Sequence, residues 1–393
     1  MAFEAEINPL SIKKFSILQT KKPCEAFNSD LSSIDKADYF ELSNSFLKVK
    51  ISKKSGYISS IFNKQLQKEF VKREAFIPIV IEDQGDAWGT GEDAFRKIVD
   101  KFALVRGKNV GEYSSGRREV GKGVRVVEKG DVRIKAEAIF SCNGCCLTAA
   151  YTLSRKDPLL RIDYDILWTK KRHMLKISLP LNLTFSSVLA EIPYGAIKLK
   201  ADGKENVYQR WLLVENKNQG IGLINNGQYA FDAFKNEIRL NILRSAVYCH
   251  HNEYILKKNR TYQTMDMGYH NISFGIITDK AENLRKKVPL FARNFNLTPD
   301  ALVAFPSNKN KFEIPPFPIN IDNNQVVCEA IKKAEDGEGY IARFFEVTGK
   351  KCNIRLSFFD KNKFVKFLPF EIKTFRFNKK YVKECKLIED GLN

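Results

Sequence analysis

Apolar and polar residues alternate with a period of two along most of this chain, the pattern of strands that bury one face. Leu47, Val49 and Ile51 alternate with Lys48 and Lys50 before Lys54-Ser55-Gly56 turns the chain into Tyr57 and Ile58. Val124 and Val126 run through Glu128-Lys129-Gly130-Asp131 into Val132, Ile134, Ala136 and Ala138, which predicts a hairpin. Leu147, Ala149, Tyr151 and Leu153 lead through Lys156-Asp157-Pro158 to Leu160, Ile162, Tyr164, Ile166 and Trp168, with Arg161, Asp163 and Asp165 marking the polar face. Successive hairpins of this kind build large antiparallel sheets that pair into a sandwich. Helical signal is thin: a short helix is expected over residues 63–73, and another over 281–295, interrupted by Pro289. Residues 304–311, rich in Pro and polar side chains, suit a domain boundary. Beyond them, residues 326–331, 340–347, 353–359 and 370–377 predict a second all-β block.

Composition narrows the class. The chain has 393 residues, 44% of them hydrophobic and 12% aromatic, enough for a sizeable core in two or three domains. No apolar run is long enough to span a bilayer, and Met1-Ala2-Phe3-Glu4-Ala5-Glu6 lacks the basic-then-apolar order of a signal peptide. A cytoplasmic location and no membrane partner are therefore expected. The net charge is +19, but the lysines are scattered in pairs and triplets such as Lys170-Lys171-Arg172, so solvated strand faces are expected rather than nucleic-acid binding. Of eight cysteines, only Cys142-Asn143-Gly144-Cys145-Cys146 is a cluster, and no second ligand pair follows it as a zinc knuckle requires. Cys145 and Cys146, adjacent on a strand pattern, point to opposite faces, so buried free thiols are expected.

Candidate chemistry is sparse. There is no G-x-S-x-G elbow, and Gly220-Ile221-Gly222 lies within a strand pattern instead of opening a phosphate-binding helix. None of the 46 carboxylates is singled out by a motif. Of the four histidines, His250 and His251 are adjacent and diverge on extended chain, so no metal site and no catalytic residue is assigned.

The order of several motifs carries more. Asn44-Ser45-Phe46-Leu47-Lys48-Val49 leads to Lys54-Ser55-Gly56-Tyr57-Ile58, then come Glu82-Asp83-Gln84-Gly85-Asp86-Ala87-Trp88 and Asp165-Ile166-Leu167-Trp168 ahead of Leu175-Lys176-Ile177. Glu191-Ile192-Pro193-Tyr194-Gly195-Ala196-Ile197 precedes Gln209-Arg210-Trp211 and Gly220-Ile221-Gly222-Leu223-Ile224-Asn225-Asn226, and Glu329-Ala330-Ile331 and Pro369-Phe370-Glu371-Ile372 close the series. In this order the chain resembles the C-terminal half of glycoside hydrolase family 38 α-mannosidases.

The resemblance implies an all-β fold: a large galactose-mutarotase-like antiparallel β-sandwich followed by a smaller β-sandwich. The domains it suggests are residues 1–38 as the end of a preceding linker domain, beginning near Ile7-Asn8-Pro9-Leu10, residues 39–304 as the large sandwich and 305–393 as the small one. Between Phe359 and Pro369 the chain is shorter than the family pattern, which leaves one strand of the small sandwich unassigned. Members of the family are retaining enzymes that use zinc, with nucleophile, acid and metal ligands in an N-terminal domain that no segment here resembles. The chain is thus expected to be a non-catalytic C-terminal portion that supports the fold and lines the sugar pocket, with zinc held elsewhere and no cofactor of its own. Its expected partners are the N-terminal catalytic half, in cis or in trans, and mannose-containing carbohydrate; an apolar docking face would also favour oligomers. The resemblance carries Trp88 and Asp86 as substrate-facing residues, with Arg244 and His270 at looser matches, while Arg210 and Trp211 are expected to hold the sandwich together. The alternatives are a stand-alone carbohydrate-binding β-sandwich and a basic protein-interaction partner.

Overall fold

A computed structural model describes residues 3–7, 11–16, 29–91, 93–107, 122–251, 254–303 and 319–389. Three antiparallel sheets form the larger part. The first runs in chain order through Ser32–Asp35, Tyr39–Ser43, Leu47–Ser52, Ile58–Asn63 and Lys68–Glu69. The second is six-stranded, in the order Asp202–Val207, Ala230–Phe234, Glu237–Arg244, His173–Pro180, Ile77–Glu82, Ile98–Lys101. The third has ten strands, with Gln219–Asn225, Gly268–Lys280, Leu160–Trp168, Cys145–Ser154 and Arg133–Cys142 adjacent at its centre. One continuous core joins all three: Ile51 and Ile58 from the first, Leu175, Ile177 and Leu240 from the second, Tyr151, Tyr164 and Phe274 from the third. The large unit is therefore a sandwich in which the ten-stranded sheet faces the other two. A bridge between Val71 and Leu181 links those two to each other.

The alternation read from sequence is the burial pattern of these strands. Leu160–Trp168 buries every second residue, leaving Arg161, Asp163 and Asp165 on the opposite face. Cys145 is buried and Cys146 half-buried, on opposite faces of their strand. The seven described cysteines are free; Cys249 is exposed, against expectation, because it lies in a loop, and Cys24 is outside the described residues.

Several expectations are corrected. Residues 63–73 form no helix: Asn63 accepts the Leu66 N–H at 2.8 Å, Gln67 adopts φ 53°, and Lys68–Glu69 returns as a strand against Phe62 and Asn63. The side chain of Asn63 closes a turn on its own backbone, which outcompetes helix. The helix Ala281–Asn296 is continuous, with Pro289 inside it. Ala281, Leu284, Val288, Pro289 and Ala292 are buried, and this face packs on Trp211, Leu213, Ile224 and Ile277 of the ten-stranded sheet's outer face. That packing holds the turn despite the hydrogen bond Pro289 cannot donate. Gly222 lets the helix approach: a Cβ there would lie 2.5 Å from Val288 Cγ2. The division expected at residues 38/39 falls in the turn of a hairpin, Ser32–Asp35 pairing with Tyr39–Ser43, so the first strand joins the large sandwich.

The smaller unit packs Ile319–Ile321, Cys352–Phe358 and Lys361–Phe367 against a four-stranded sheet ordered Val326–Lys333, Tyr340–Glu346, Ile372–Phe377, Val382–Cys385. Lys361–Phe367 is thus a full strand where the shortened stretch had left one unassigned. Its core is aromatic, with Phe344, Phe358, Phe375 and Phe377 all buried. The boundary stretch 304–311 lies outside the described residues. Across the joint between the units Tyr194 meets Phe345 edge-on at 5.2 Å, and Arg293 of the helix donates to Glu329 at 2.6 Å and to the Cys328 carbonyl at 2.7 Å. The Glu191-Ile192-Pro193-Tyr194-Gly195 motif therefore serves this joint. Glu191 accepts from Arg210 through Nη2 at 2.6 Å and the backbone N–H at 2.7 Å, while Tyr194 turns at φ 53° toward the small unit.

Candidate functional site

Three strands of the six-stranded sheet reach a common end at Glu82, His173 and Arg244, since His173 pairs with Glu82 and Met174 with Arg244. Two segments leave that end. Residues 83–97 follow Glu82, and the arm 245–267 follows Arg244, closed at its base by Met265 N–H to Ala246 O at 3.0 Å and a Val247–Thr264 bridge. Ser245 is fixed from below, where buried Trp168 donates Nε1–H to its Oγ at 2.6 Å.

Arg244 clamps the first segment. Its Nε and Nη2 donate to the two oxygens of Asp83 at 2.8 and 3.2 Å, Nη1 to the Ala87 carbonyl at 3.1 Å and Nη2 to the Asp86 carbonyl at 2.7 Å. The guanidinium lies 4.9 Å from the Phe95 ring, so the returning limb of the segment covers it. A planar five-donor fork suits this two-pronged grip, which an ammonium cannot reproduce. Asp83 and Asp86 are both 1% exposed. The Asp86 carboxylate accepts the backbone N–H groups of Trp88 at 3.1 Å and Thr90 at 2.8 Å, so it shapes the turn that presents Trp88.

Trp88 is 60% exposed and stacks on His251 of the arm, centroids 4.2 Å apart and planes 16° from parallel. The Ala87 N–H to His250 carbonyl bond, 3.0 Å, holds the two segments in register for that stack. Tyr254 stands edge-on to His251 at 6.5 Å, and the His250 Nε2–H donates to the Tyr254 carbonyl at 2.6 Å. His270 opens the long strand Gly268–Lys280; its Nε2–H donates to the Asp266 carbonyl at 3.0 Å, and the Asp266 carboxylate accepts the Arg244 N–H at 3.0 Å. Asp86, Trp88, Arg244 and His270 therefore belong to one hydrogen-bonded neighbourhood, with Trp88 the outward member and Asp86 and Arg244 its support. His251 and Asp266 also belong to it; Asp266 carries no signal in the sequence, and His251 is weighed there only with His250 as a metal ligand.

Beneath this end, the outer face of the six-stranded sheet buries a charge network. Lys176 is fully buried, its Nζ 2.8 Å from Asp232, and it also bonds Glu205. Arg96 pairs with Asp232, Glu205 accepts Asn241 Nδ2–H at 2.7 Å, and the Phe95 N–H reaches Glu205 at 3.2 Å. Burial pushes the Asp232 carboxyl above its ordinary range, against the pull of Lys176 and Arg96. Two cations meet two carboxylates, and Phe95 and Arg96 tie this network to the segment that carries Trp88. Among the described residues no group of three or more His, Cys, Asp or Glu is placed to hold a metal. Nor is any helix among them long and apolar enough to cross a membrane.

Comparison with known proteins decides the family. The model of the glycosyl hydrolases family 38 C-terminal domain matches residues 42–252. The chain belongs to glycosyl hydrolase family 38. A second model, the family 38 C-terminal beta sandwich domain, matches residues 325–392, the small unit. Among curated relatives, Alpha-mannosidase G of Dictyostelium discoideum is 20% identical over 90% of this family 38 chain, and an Alpha-mannosidase of Saccharomyces cerevisiae is 23% identical over 69%. The matches cover 34% and 24% of those proteins, so the chain spans about a third of their length or less. A solved alpha-mannosidase from Enterococcus faecalis V583 superposes with a TM-score of 0.70 at 14% identity, covering 90% of this chain and 43% of that one, and so shares its fold.

Proposed function

We propose that this family 38 chain is the supporting, wall-forming portion of an α-mannosidase. It presents Trp88 to a mannose ring, while an N-terminal half joined in cis or in trans supplies the zinc, nucleophile and acid. The observation that carries this reading is Trp88, exposed on a loop that Arg244 and Asp86 hold rigidly at one end of the sheet. An aromatic face suits the C–H side of a pyranose, and a preset loop limits the ordering cost of binding. Retaining hydrolysis needs two carboxyl groups about 5 Å apart across the scissile bond. Asp83 and Asp86, on the stretch of chain that leads into Trp88, are buried and committed to the loop. The free thiols suit a reducing compartment such as the cytoplasm.

The test is turnover of nitrophenyl α-mannoside. The expected result is none from the purified chain, and activity when the family's N-terminal half is added with zinc. With that half present, Trp88→Ala raises KM more than it lowers kcat. Robust turnover by the chain alone would overturn the proposal. A second reading, a stand-alone carbohydrate-binding sandwich, draws support from exposed Tyr254 and Tyr269 near the same end. It predicts calorimetric binding of mannose oligosaccharides without any other half, abolished by Trp88→Ala.

A further inference from the structure

The clamp at the end of the six-stranded sheet fixes backbone and leaves the indole of Trp88 to be set by something else. Arg244 holds the Asp86 and Ala87 carbonyls, and Asp86 holds the Trp88 N–H, but these bonds do not reach the two side-chain torsions of Trp88. An exposed side chain with free torsions samples several rotamers, and ordering it on binding opposes affinity. His251 removes that freedom. Its imidazole lies on one indole face, centroids 4.2 Å apart and planes 16° from parallel. The rings are in van der Waals contact, so no sugar fits between them. Trp88 is nevertheless 60% exposed with that face covered, which leaves the opposite face in solvent.

The imidazole is itself held. The Ala87 N–H bonds the His250 carbonyl at 3.0 Å, tying the arm to the residue before Trp88. The Tyr254 N–H donates to the His251 carbonyl at 3.0 Å, and the His250 ring bonds the Tyr254 carbonyl at 2.6 Å, which closes a turn around His251. The Tyr254 ring stands edge-on to the imidazole at 6.5 Å. Nearer the base of the arm, the Tyr248 N–H donates to the Gln263 carbonyl at 2.9 Å. Lifting the imidazole off the indole would disturb this turn and the bond to Ala87. Using the open face disturbs neither.

We propose that His251 is a positioning residue for the sugar platform: it backs one face of Trp88, sets the angle of the indole and leaves the opposite face to receive a mannose ring. This rests on Trp88 being the sugar-facing residue. A pyranose then meets a preset plate and approaches it from one side, so the backing acts on binding and not on bond breaking. The role demands a planar ring at position 251, because stacked aromatic planes are worth more than the area they cover.

Acrylamide quenching of tryptophan emission in the full chain reads the stack without any sugar. The other two tryptophans, Trp168 and Trp211, are 0% and 4% exposed, so the quenchable emission belongs to Trp88, and Trp88→Phe removes it. His251→Ala bares the second face and roughly doubles the quenching slope, whereas His251→Phe keeps the slope of the parent chain. With the family's N-terminal half and zinc added, His251→Ala raises KM for nitrophenyl α-mannoside about two- to tenfold at unchanged kcat, the loss of one aromatic pair. His251→Phe restores KM, and His251→Ala adds nothing in a Trp88→Ala background. An unchanged quenching slope in His251→Ala, no rescue by Phe, additive effects of the two alanine substitutions, or a fall in kcat overturns the proposal. So does a lower KM in His251→Ala, which would make the imidazole a plug that substrate displaces. If Trp88→Ala itself leaves KM unchanged, the sugar-facing reading of Trp88 fails and the proposal with it. If Trp88→Ala raises KM and His251→Ala does not, the proposal alone fails.

Discussion

Replacing Arg244 by Ala removes the clamp on the segment that carries Trp88. Four hydrogen bonds disappear, two to the Asp83 carboxylate and two to the Asp86 and Ala87 carbonyls. The Asp83 side chain is 0% exposed, so it is left as a buried charge without its cation. Losing one partner of a buried ion pair costs about 3–5 kcal/mol. The Arg244 side chain is 21% exposed, and solvent screening places the cost at the low end, about 3 kcal/mol. That corresponds to roughly a hundredfold change in the local opening equilibrium. Hydrogen exchange read by mass spectrometry measures it directly: amides of residues 83–90, including the Trp88 and Thr90 N–H groups held by Asp86, exchange about a hundredfold faster in the variant. The central strands Leu160–Trp168 and Gly268–Lys280 keep their protection. Arg244→Lys falls between, since it retains the charge and loses the fork. Unchanged exchange over 83–90, or acceleration spread equally over the whole molecule, would refute the reasoning.

Lys176→Met strips the cation from Asp232 and Glu205 and is expected to destabilise the large unit by about 3–5 kcal/mol in urea unfolding, with much of the loss recovered by adding Asp232→Asn. A cost below about 1 kcal/mol would show that the network is not held by Lys176. Gly222→Ala drives a Cβ against Val288 and forces the helix off the sheet, a loss of about 1–3 kcal/mol by thermal unfolding that Val288→Ala relieves. For Glu237, burial raises the carboxyl pKa, but bonds from Arg239 and Ser178 outweigh it and hold the group below its ordinary 4.5. Its stabilising contribution is therefore present above that value and is lost as pH falls through the lowered one. Melting temperature measured from about pH 6 down to 3 should fall less steeply in Glu237→Gln than in the parent chain.

Much of the fold was legible because one-sided burial is written residue by residue: a strand with one wet face must alternate, as Leu160–Trp168 does. The misreadings have local causes of another kind. Asn63 bonds its own backbone, and Pro289 is tolerated in a helix held by its packed face. The Glu191–Gly195 motif announced the family and not its own task, which is to hold Arg210 and face Phe345 across a joint between units.

The candidate site divides in the same way. The Asp83-to-Trp88 motif could be read in the chain, and so could Arg244 and His270 as isolated candidates. That Arg244 grips Asp83 across 161 residues, that His251 stacks on Trp88, and that Lys176 lies sealed beneath them depend on which strands become neighbours. Strand order is set by the burial of whole sheets against one another, a property of the assembled core that no local window contains. The sequence alone determined strands, their wet faces and the family; the tertiary structure alone decided which side chains meet, because desolvation and hydrogen-bond geometry act between residues far apart in the chain.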